Sequence, residues 1–219
     1  MPYNSEKHHR RSIRLKGYDY TQPGAYFITI VTQNRASILG EVVDGETRLN
    51  EHGEIVREEW LQTAILRPRV ILDQFIVMPN HIHGIIMLTD DHGRGTLQRA
   101  PTQRAPTQRA PNMERFGKPT SDSIPTIVRL FKSATTKRIN EMRGLPGSPV
   151  WQRNYYKHII RNVGAGSEPA PTLHRIREYI LTNPLRWAVD RENPAAASLD
   201  HFDRWLDAQG DIPIREATR

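Results

Sequence analysis

The chain has 219 residues, of which 37% are hydrophobic, with 16 prolines and no cysteine. That length suits one sizeable domain carrying polar, loop-rich additions, and the missing thiols exclude disulfides, thiolate metal sites and a cysteine nucleophile. A formal charge of +7 makes a polyanion the natural partner. No signal-peptide pattern opens the chain and no apolar run approaches the ~20 residues of a membrane helix, so a cytoplasmic protein with no membrane partner is expected.

The first segment, residues 1–17, is a basic arm in which Arg11, Arg14 and Lys16 crowd together with further cations, a density suited to phosphates. "AYFITIVTQNR" (25–35) is aromatic and β-branched and follows Pro23-Gly24, so it reads as a strand. "NEHGEIVREEWLQTAIL" (50–66) spaces Val56, Trp60, Thr63 and Ala64 as an amphipathic helix. "RVILDQFIVM" (69–78) and "HIHGIIML" (81–88) are apolar runs split by Pro79-Asn80, which predicts an antiparallel hairpin.

Composition then changes. Residues 93–122 hold a tandem Gln-Arg-Ala-Pro-Thr repeat that cannot bury a core, and they read as a flexible insert. "SIPTIVRLFKSATTKRINEMRG" (123–144) regains an apolar stripe of Ile124, Ile127, Val128, Phe131 and Ala134, with Arg129, Lys132 and Lys137 mostly off it, and ends at Gly144 and Pro146. "VWQRNYYKHII" (150–160) reads as a strand. After a short insert (164–171), "TLHRIREYILTNP" (172–184) reads as a helix stopped by Pro184. Residues 191–219 form a C-terminal appendage after a domain spanning 18–190. The resulting order, strand-helix-strand-strand-helix-strand, is that of an α+β, ferredoxin-like antiparallel sheet, with one more helix after it.

His81 and His83 are the anomaly in this pattern. Residues two apart share a strand face, so both imidazoles project together while Ile82 points into the core. The pair suits a grip on one divalent cation; a polar rim is the alternative. Two imidazoles hold a metal poorly, so a third ligand from elsewhere is expected.

"VMPNHIHGII" resembles the His-hydrophobic-His motif of HUH nucleases. Together with "VWQRNYYKHIIRN", "IREYILTNP" and the opening "RRSIRLKGYDYTQPGAYFITIVTQNR", it resembles the single-tyrosine HUH transposases, specifically the REP-associated tyrosine transposases, over about residues 10–190. The resemblance implies an enzyme that cleaves and rejoins single-stranded or hairpin DNA through a 5′-phosphotyrosine, using Mg²⁺ or Mn²⁺. It implies Tyr179 as nucleophile. Tyr179 and Asn183 lie four residues apart on one helix face with Arg175 a turn earlier, so Asn183 fits a third metal ligand beside His81 and His83; equally it fits a residue closing the helix before Pro184. Tyr155 and Tyr156 are rival tyrosines, one suited to the core and the other to stacking on a base. Arg11, Arg14, Lys16, Arg129, Lys132, Arg153 and Arg175 are the expected DNA contacts. A cytoplasmic, nucleoid-associated location and a monomer or homodimer follow. The competing expectation is a sequence-specific hairpin binder that uses no nuclease chemistry.

Overall fold

The computed structural model describes residues 18–90, 120–160, 171–198 and 200–208. The basic arm with Arg11, Arg14 and Lys16, most of the repeat-bearing insert and most of the 164–171 insert lie outside the described residues. In chain order the elements are β1 (Gly24–Val31), β2 (Gly40–Val43), β3 (Glu46–Leu49), α1 (Glu51–Ile65), β4 (Val70–Met78), β5 (His81–Leu88), α2 (Ile124–Arg143), β6 (Tyr156–Ile160), α3 (Pro171–Thr182) and α4 (His201–Ala208). Two 3-10 segments, Gln33–Arg35 and Pro184–Val189, join them.

The main sheet runs β4-β5-β1-β6, with every neighbouring pair antiparallel. Taking β1, β4, β5 and β6 as the four strands of a βαββαβ chain, this is the order 2-3-1-4, the ferredoxin-like arrangement that the sequence predicts. The small β2-β3 hairpin is inserted between β1 and α1. Its turn, Asp44-Gly45, holds both residues in the left-handed region (φ 54° and 77°), the pattern of a two-residue type I′ turn.

Alternation along the strands divides the interior into two layers. Tyr26, Ile28 and Ile30 of β1, Val77 of β4, and Ile82 and Ile86 of β5 face Val56 and Trp60 of α1 and Ile127, Val128 and Phe131 of α2. Gly84 is required at the centre of this layer, because a Cβ there would lie 2.3 Å from Trp60 Cζ2. Both helices are anchored at their ends. Asn50 Oδ1 accepts from Gly53 N at 3.1 Å to cap α1, Ser123 Oγ accepts from Thr126 N at 3.4 Å to cap α2, and Gly144 (φ 64°) ends α2 in the left-handed conformation.

On the other side of the sheet, Ala25, Phe27, Ile85 and Ile160 meet Leu173, Ile176 and Ile180 of α3 and Phe202 and Leu206 of α4. Phe202 and Leu206 of the C-terminal appendage are thus part of this core. Arg177 fixes α3 against β4 through a two-pronged contact with Asp73, at 3.1 Å from Nε to Oδ1 and 2.6 Å from Nη2 to Oδ2.

Two expected strands are shorter than their apolar runs. β1 stops at Val31 because Asn34 and Arg35 adopt left-handed backbone (φ 57° and 53°), which an extended strand cannot include. The 150–160 run is strand only from Tyr156. Before it, Lys132 Nζ donates to the carbonyls of Gln152, Arg153 and Asn154 at 2.9, 3.4 and 2.7 Å, so those carbonyls are taken, while Gln152 N still donates to Val31 O at 2.9 Å. A single bridge, Thr32 to Trp151, remains of the longer pairing.

Candidate metal and tyrosine site

Pairing fixes where the histidines sit. His81 lies opposite Val31 of β1 and Met78 of β4, and His83 opposite Thr29 and Ile76. Both rings project into the layer under α3, 4.3 Å apart between centroids, while Ile82 enters the opposite core as expected.

Each ring is oriented through Nδ1. Asn80 Nδ2 donates to the carbonyls of Arg35 and Glu192, at 3.1 and 2.7 Å, which turns Asn80 Oδ1 toward His81 Nδ1 at 2.8 Å. An amide oxygen only accepts, so His81 carries its proton on Nδ1 and its Nε2 bears a lone pair. Thr29 Oγ1 lies 2.9 Å from His83 Nδ1, leaving His83 Nε2 turned toward α3.

Asp190 arrives from the loop after the Pro184–Val189 segment. Its position depends on Asp190 N donating to Trp187 O at 3.2 Å and on Glu192 N donating to Asp190 Oδ1 at 2.7 Å. Oδ2 is thereby left facing His83 Nε2 at 3.9 Å. Among the described residues, His81, His83 and Asp190 form a buried group that could hold a metal ion, with ligand atoms all within 4.8 Å of one another.

Tyr179 and Asn183 meet the same group from α3 and its end. Tyr179 Oη is 3.4 Å from His83 Nε2 and donates to Asp190 Oδ2 at 3.3 Å; Asn183 Nδ2 donates to Asp190 Oδ2 at 2.8 Å. The Tyr179 ring is 3% exposed and stacks on Phe202 of α4 at 3.8 Å between centroids and 11° between planes.

The electrostatics follow from a dry site crowded with charge. Burial, then repulsion from His83, lowers the His81 imidazole to about 3 against opposing help from Asp190 and Asn183, so it is neutral at ordinary pH. Burial works to raise the Asp190 carboxyl, but His81, His83 and the Asn183 amide outweigh it and hold the group well below the usual carboxylate range. Burial, followed by the carboxylates of Asp190, Asp203 and Asp200, pushes the Tyr179 phenol well above its ordinary value.

The residues fit a divalent cation. Among the described residues, His81 Nε2 and Asn183 Oδ1 are both buried without a well-formed hydrogen bond, the Asn183 amide giving the His81 ring only the smallest of its supports. That is a costly state for two lone pairs away from water. Two imidazole nitrogens, a carboxylate oxygen and an amide oxygen are a donor set suited to a metal such as Mn²⁺. Asn183 thus has its amide oxygen beside the group, and its side chain makes no capping hydrogen bond at the helix end.

Of the residues singled out in the sequence, His81, His83, Tyr179 and Asn183 come together, some from opposite ends of the domain. Asp190 escaped the sequence reading; an Asp seven residues after Asn183 has no local pattern to mark it. Tyr155 packs against the α1/α2 core and Tyr156 against the α3/α4 core. Arg129 and Arg153 line a concave groove with a cavity volume of about 780 Å³ beside the 144–153 loop, together with Trp151, Gln152 and Lys132. The ammonium of Lys132 is committed to carbonyls, and Arg175 lies over the Trp205 ring at 4.4 Å. No helix of the described residues is long and apolar enough to cross a membrane.

No protein-family model matches the chain. It is 38% identical over 189 residues, 86% of this chain and 96% of the other, to an uncharacterized protein of Haemophilus influenzae. Among solved structures it aligns with a REP-associated tyrosine transposase bound to a REP hairpin, at 18% identity and a TM-score of 0.46, covering 79% of this chain and 73% of that one. It also aligns with a putative transposase from Deinococcus radiodurans, at 19% identity and a TM-score of 0.36, over 77% of this chain and 96% of that one.

Proposed function

The chain belongs to the same protein family as that Haemophilus influenzae protein, and we propose that this member is a metal-dependent, single-tyrosine transposase that cleaves and rejoins single-stranded DNA at hairpin elements. The observation that carries the reading is the phenol of Tyr179 set within 3.4 Å of a buried His-His-Asp group that could hold a metal ion. The resemblance of the "MPNHIHG" and "YILTNP" segments to the REP-associated tyrosine transposases supports it independently of that geometry.

His81, His83 and Asp190, with Asn183 Oδ1 beside them, would hold the cation. When bound there, a divalent metal supplies charge stabilisation to a scissile phosphate. The chain's own residues do the rest. Tyr179 Oη bonds to phosphorus as the P–O3′ bond breaks, giving a 5′-phosphotyrosine and, once a proton is taken up, a free 3′-hydroxyl. Without a cation, Asp190 Oδ2 and His83 Nε2 are the acceptors nearest the phenol proton; with those lone pairs occupied by a bound cation, the proton would leave to water. Rejoining to another 3′-hydroxyl reverses the same bonds and needs no nucleotide cofactor. Tyr179 is nearly fully buried, so a phosphate reaches Oη only when its surroundings shift. Arg129 and Arg153 are suited to phosphates of the bound strand from their groove.

The test is incubation of the protein with a hairpin-bearing single-stranded oligonucleotide and Mn²⁺. A denaturation-resistant protein–DNA adduct is expected, absent from Tyr179→Phe and from His83→Ala. An adduct that survives Tyr179→Phe but is lost in Tyr156→Phe reassigns the nucleophile. Hairpin binding with no adduct from any protein replaces the nuclease by a hairpin binder.

A further inference from the structure

The turn at the end of β1 is unusual beside such a site. Asn34 and Arg35 are consecutive non-glycine residues in left-handed backbone, a conformation that glycine adopts without steric cost. The surroundings hold the turn in place. Thr32 Oγ1 donates to Ala36 O at 2.8 Å, Gln33 N to Val150 O at 2.8 Å, and Asn80 Nδ2 to Arg35 O at 3.1 Å. Strain fixed this firmly next to a reactive centre points to the side chains it displays.

Asn34 and Arg35 are exposed, Gln33 is half-buried, and the turn has unused polar groups. Gln33 Nε2 donates to Asn34 Oδ1 at 3.2 Å. Among the described residues, that leaves Asn34 Nδ2 as a donor and Gln33 Oε1 as an acceptor without partners. Arg35, with a side chain 45% exposed, contacts Glu192 through Nε at 3.1 Å.

An aromatic ring borders the same place. Trp187 is partly exposed, with its ring 6.1 Å from that of His81 at 30° between planes. Its backbone carbonyl accepts from Asp190 N and from Asn193 Nδ2, so the ring rides on the turn that delivers Asp190. Through Asn80, which touches Arg35, His81 and Glu192, the displayed turn and this ring are brought to one end of the histidine strand.

We infer that Trp187 and the Gln33–Arg35 turn form a nucleotide subsite for single-stranded DNA next to the scissile phosphate. The base stacks on Trp187, the Asn34/Gln33 donor–acceptor pair reads its edge, and Arg35 faces its phosphate. Stacking on an indole is tolerant of base identity, whereas an amide donor and acceptor held in one turn suit a base edge that offers an acceptor and a donor, as adenine's does. The inference rests on the reading that single-stranded DNA enters this site.

The experiment uses the full chain carrying Tyr179→Phe, with Mn²⁺, so that binding is measured without cleavage. A pool of single-stranded oligonucleotides, each a fixed hairpin with randomised flanks, is selected on the protein and sequenced. One flank position is expected to show a base preference, adenine first. An abasic residue at that position should weaken binding by about 5- to 100-fold. Adding Trp187→Ala should cost a similar factor and abolish the response to the abasic residue, while Trp187→Phe retains most of the affinity. Asn34→Gly should keep or raise the melting temperature, because glycine suits the left-handed backbone, and yet flatten the base preference. The inference is overturned if Trp187→Ala binds the selected oligonucleotide as tightly as its parent, or if Asn34→Gly keeps the preference. Adduct formation by protein with Tyr179 intact is scored separately: its failure removes the cleavage reading, while the binding pattern still decides the subsite.

Discussion

The two faces of the main sheet solve different problems with the same strands. Under α1 and α2, residues such as Tyr26, Ile28, Ile82, Ile86, Trp60 and Phe131 interlock as an apolar layer. Under α3 and α4, Phe27, Ile85, Ile176 and Phe202 share their layer with His81, His83, Tyr179, Asn183 and Asp190, which are all nearly dry. Alternation along β5 makes this possible, since Ile82 and Ile86 go one way and His81 and His83 the other. Buried polar atoms without partners cost free energy, and the apolar face supplies the stability that lets the second face keep them.

The largest expected effects separate the faces. Trp60→Ala empties the centre of the apolar layer over Gly84 and should cost about 3–5 kcal/mol of stability, measured by urea unfolding, with Mn²⁺ affinity of the folded fraction unchanged. His83→Ala should do the reverse, costing about 1–2 kcal/mol of stability while abolishing measurable Mn²⁺ binding by calorimetry. Equal losses of stability in the two variants would break the division.

Asn80 joins the faces' common edge and sharpens the contrast. It orients His81 and, by donating to Glu192 O, ties the Asp190 loop to the histidine strand. Asn80→Ala should weaken Mn²⁺ binding by about 10- to 100-fold, as loss of an outer-shell partner does. Asn80→Asp keeps an acceptor for His81 but loses both donors to the carbonyls, and is expected to bind Mn²⁺ more weakly than the parent and to lose melting temperature as well. A calorimetric titration in which both variants match the parent would show that the ligand loop docks without Asn80.

How much of this was legible follows the range of the interactions involved. The histidine pair and the core role of Ile82 are local consequences of a two-residue repeat, and the helical stripes of α1, α2 and α3 are likewise local. The four-strand order follows from the element sequence. Asp190 is different: its place depends on contacts between residues 80 and 192, and nothing in "WAVDREN" shows that such a contact exists. Residues 150–155 have strand composition, but a lysine some twenty positions earlier claims their carbonyls. The β2-β3 hairpin carries a signal, Asp44-Gly45 between β-branched residues, but its strands are short and half-polar, with no apolar run to mark them. Phe202 sat in an appendage with no motif, yet it covers the tyrosine ring.

The smallest expected effect concerns that lysine. Lys132 belongs to the α1/α2 side, and burial lowers its ammonium from an ordinary value of 10.5 to about 8. Between those two values the unfolded chain binds a proton that the folded protein has released. Stability therefore rises as pH climbs from 8 toward 10.5, and the gain is absent below pH 8, where both states are protonated. At pH 9.5 the gain should be about 2 kcal/mol. Lys132→Met removes the titrating group, so the stability of the parent relative to this variant should increase by that amount between pH 7 and pH 9.5 in urea unfolding. A difference that stays flat or falls with pH would mean that the carbonyls of Gln152, Arg153 and Asn154 hold the charged form against burial. In either case Mn²⁺ affinity at pH 7 should match the parent, because Lys132 acts on a segment of the scaffold face and touches none of the candidate ligands His81, His83, Asn183 and Asp190.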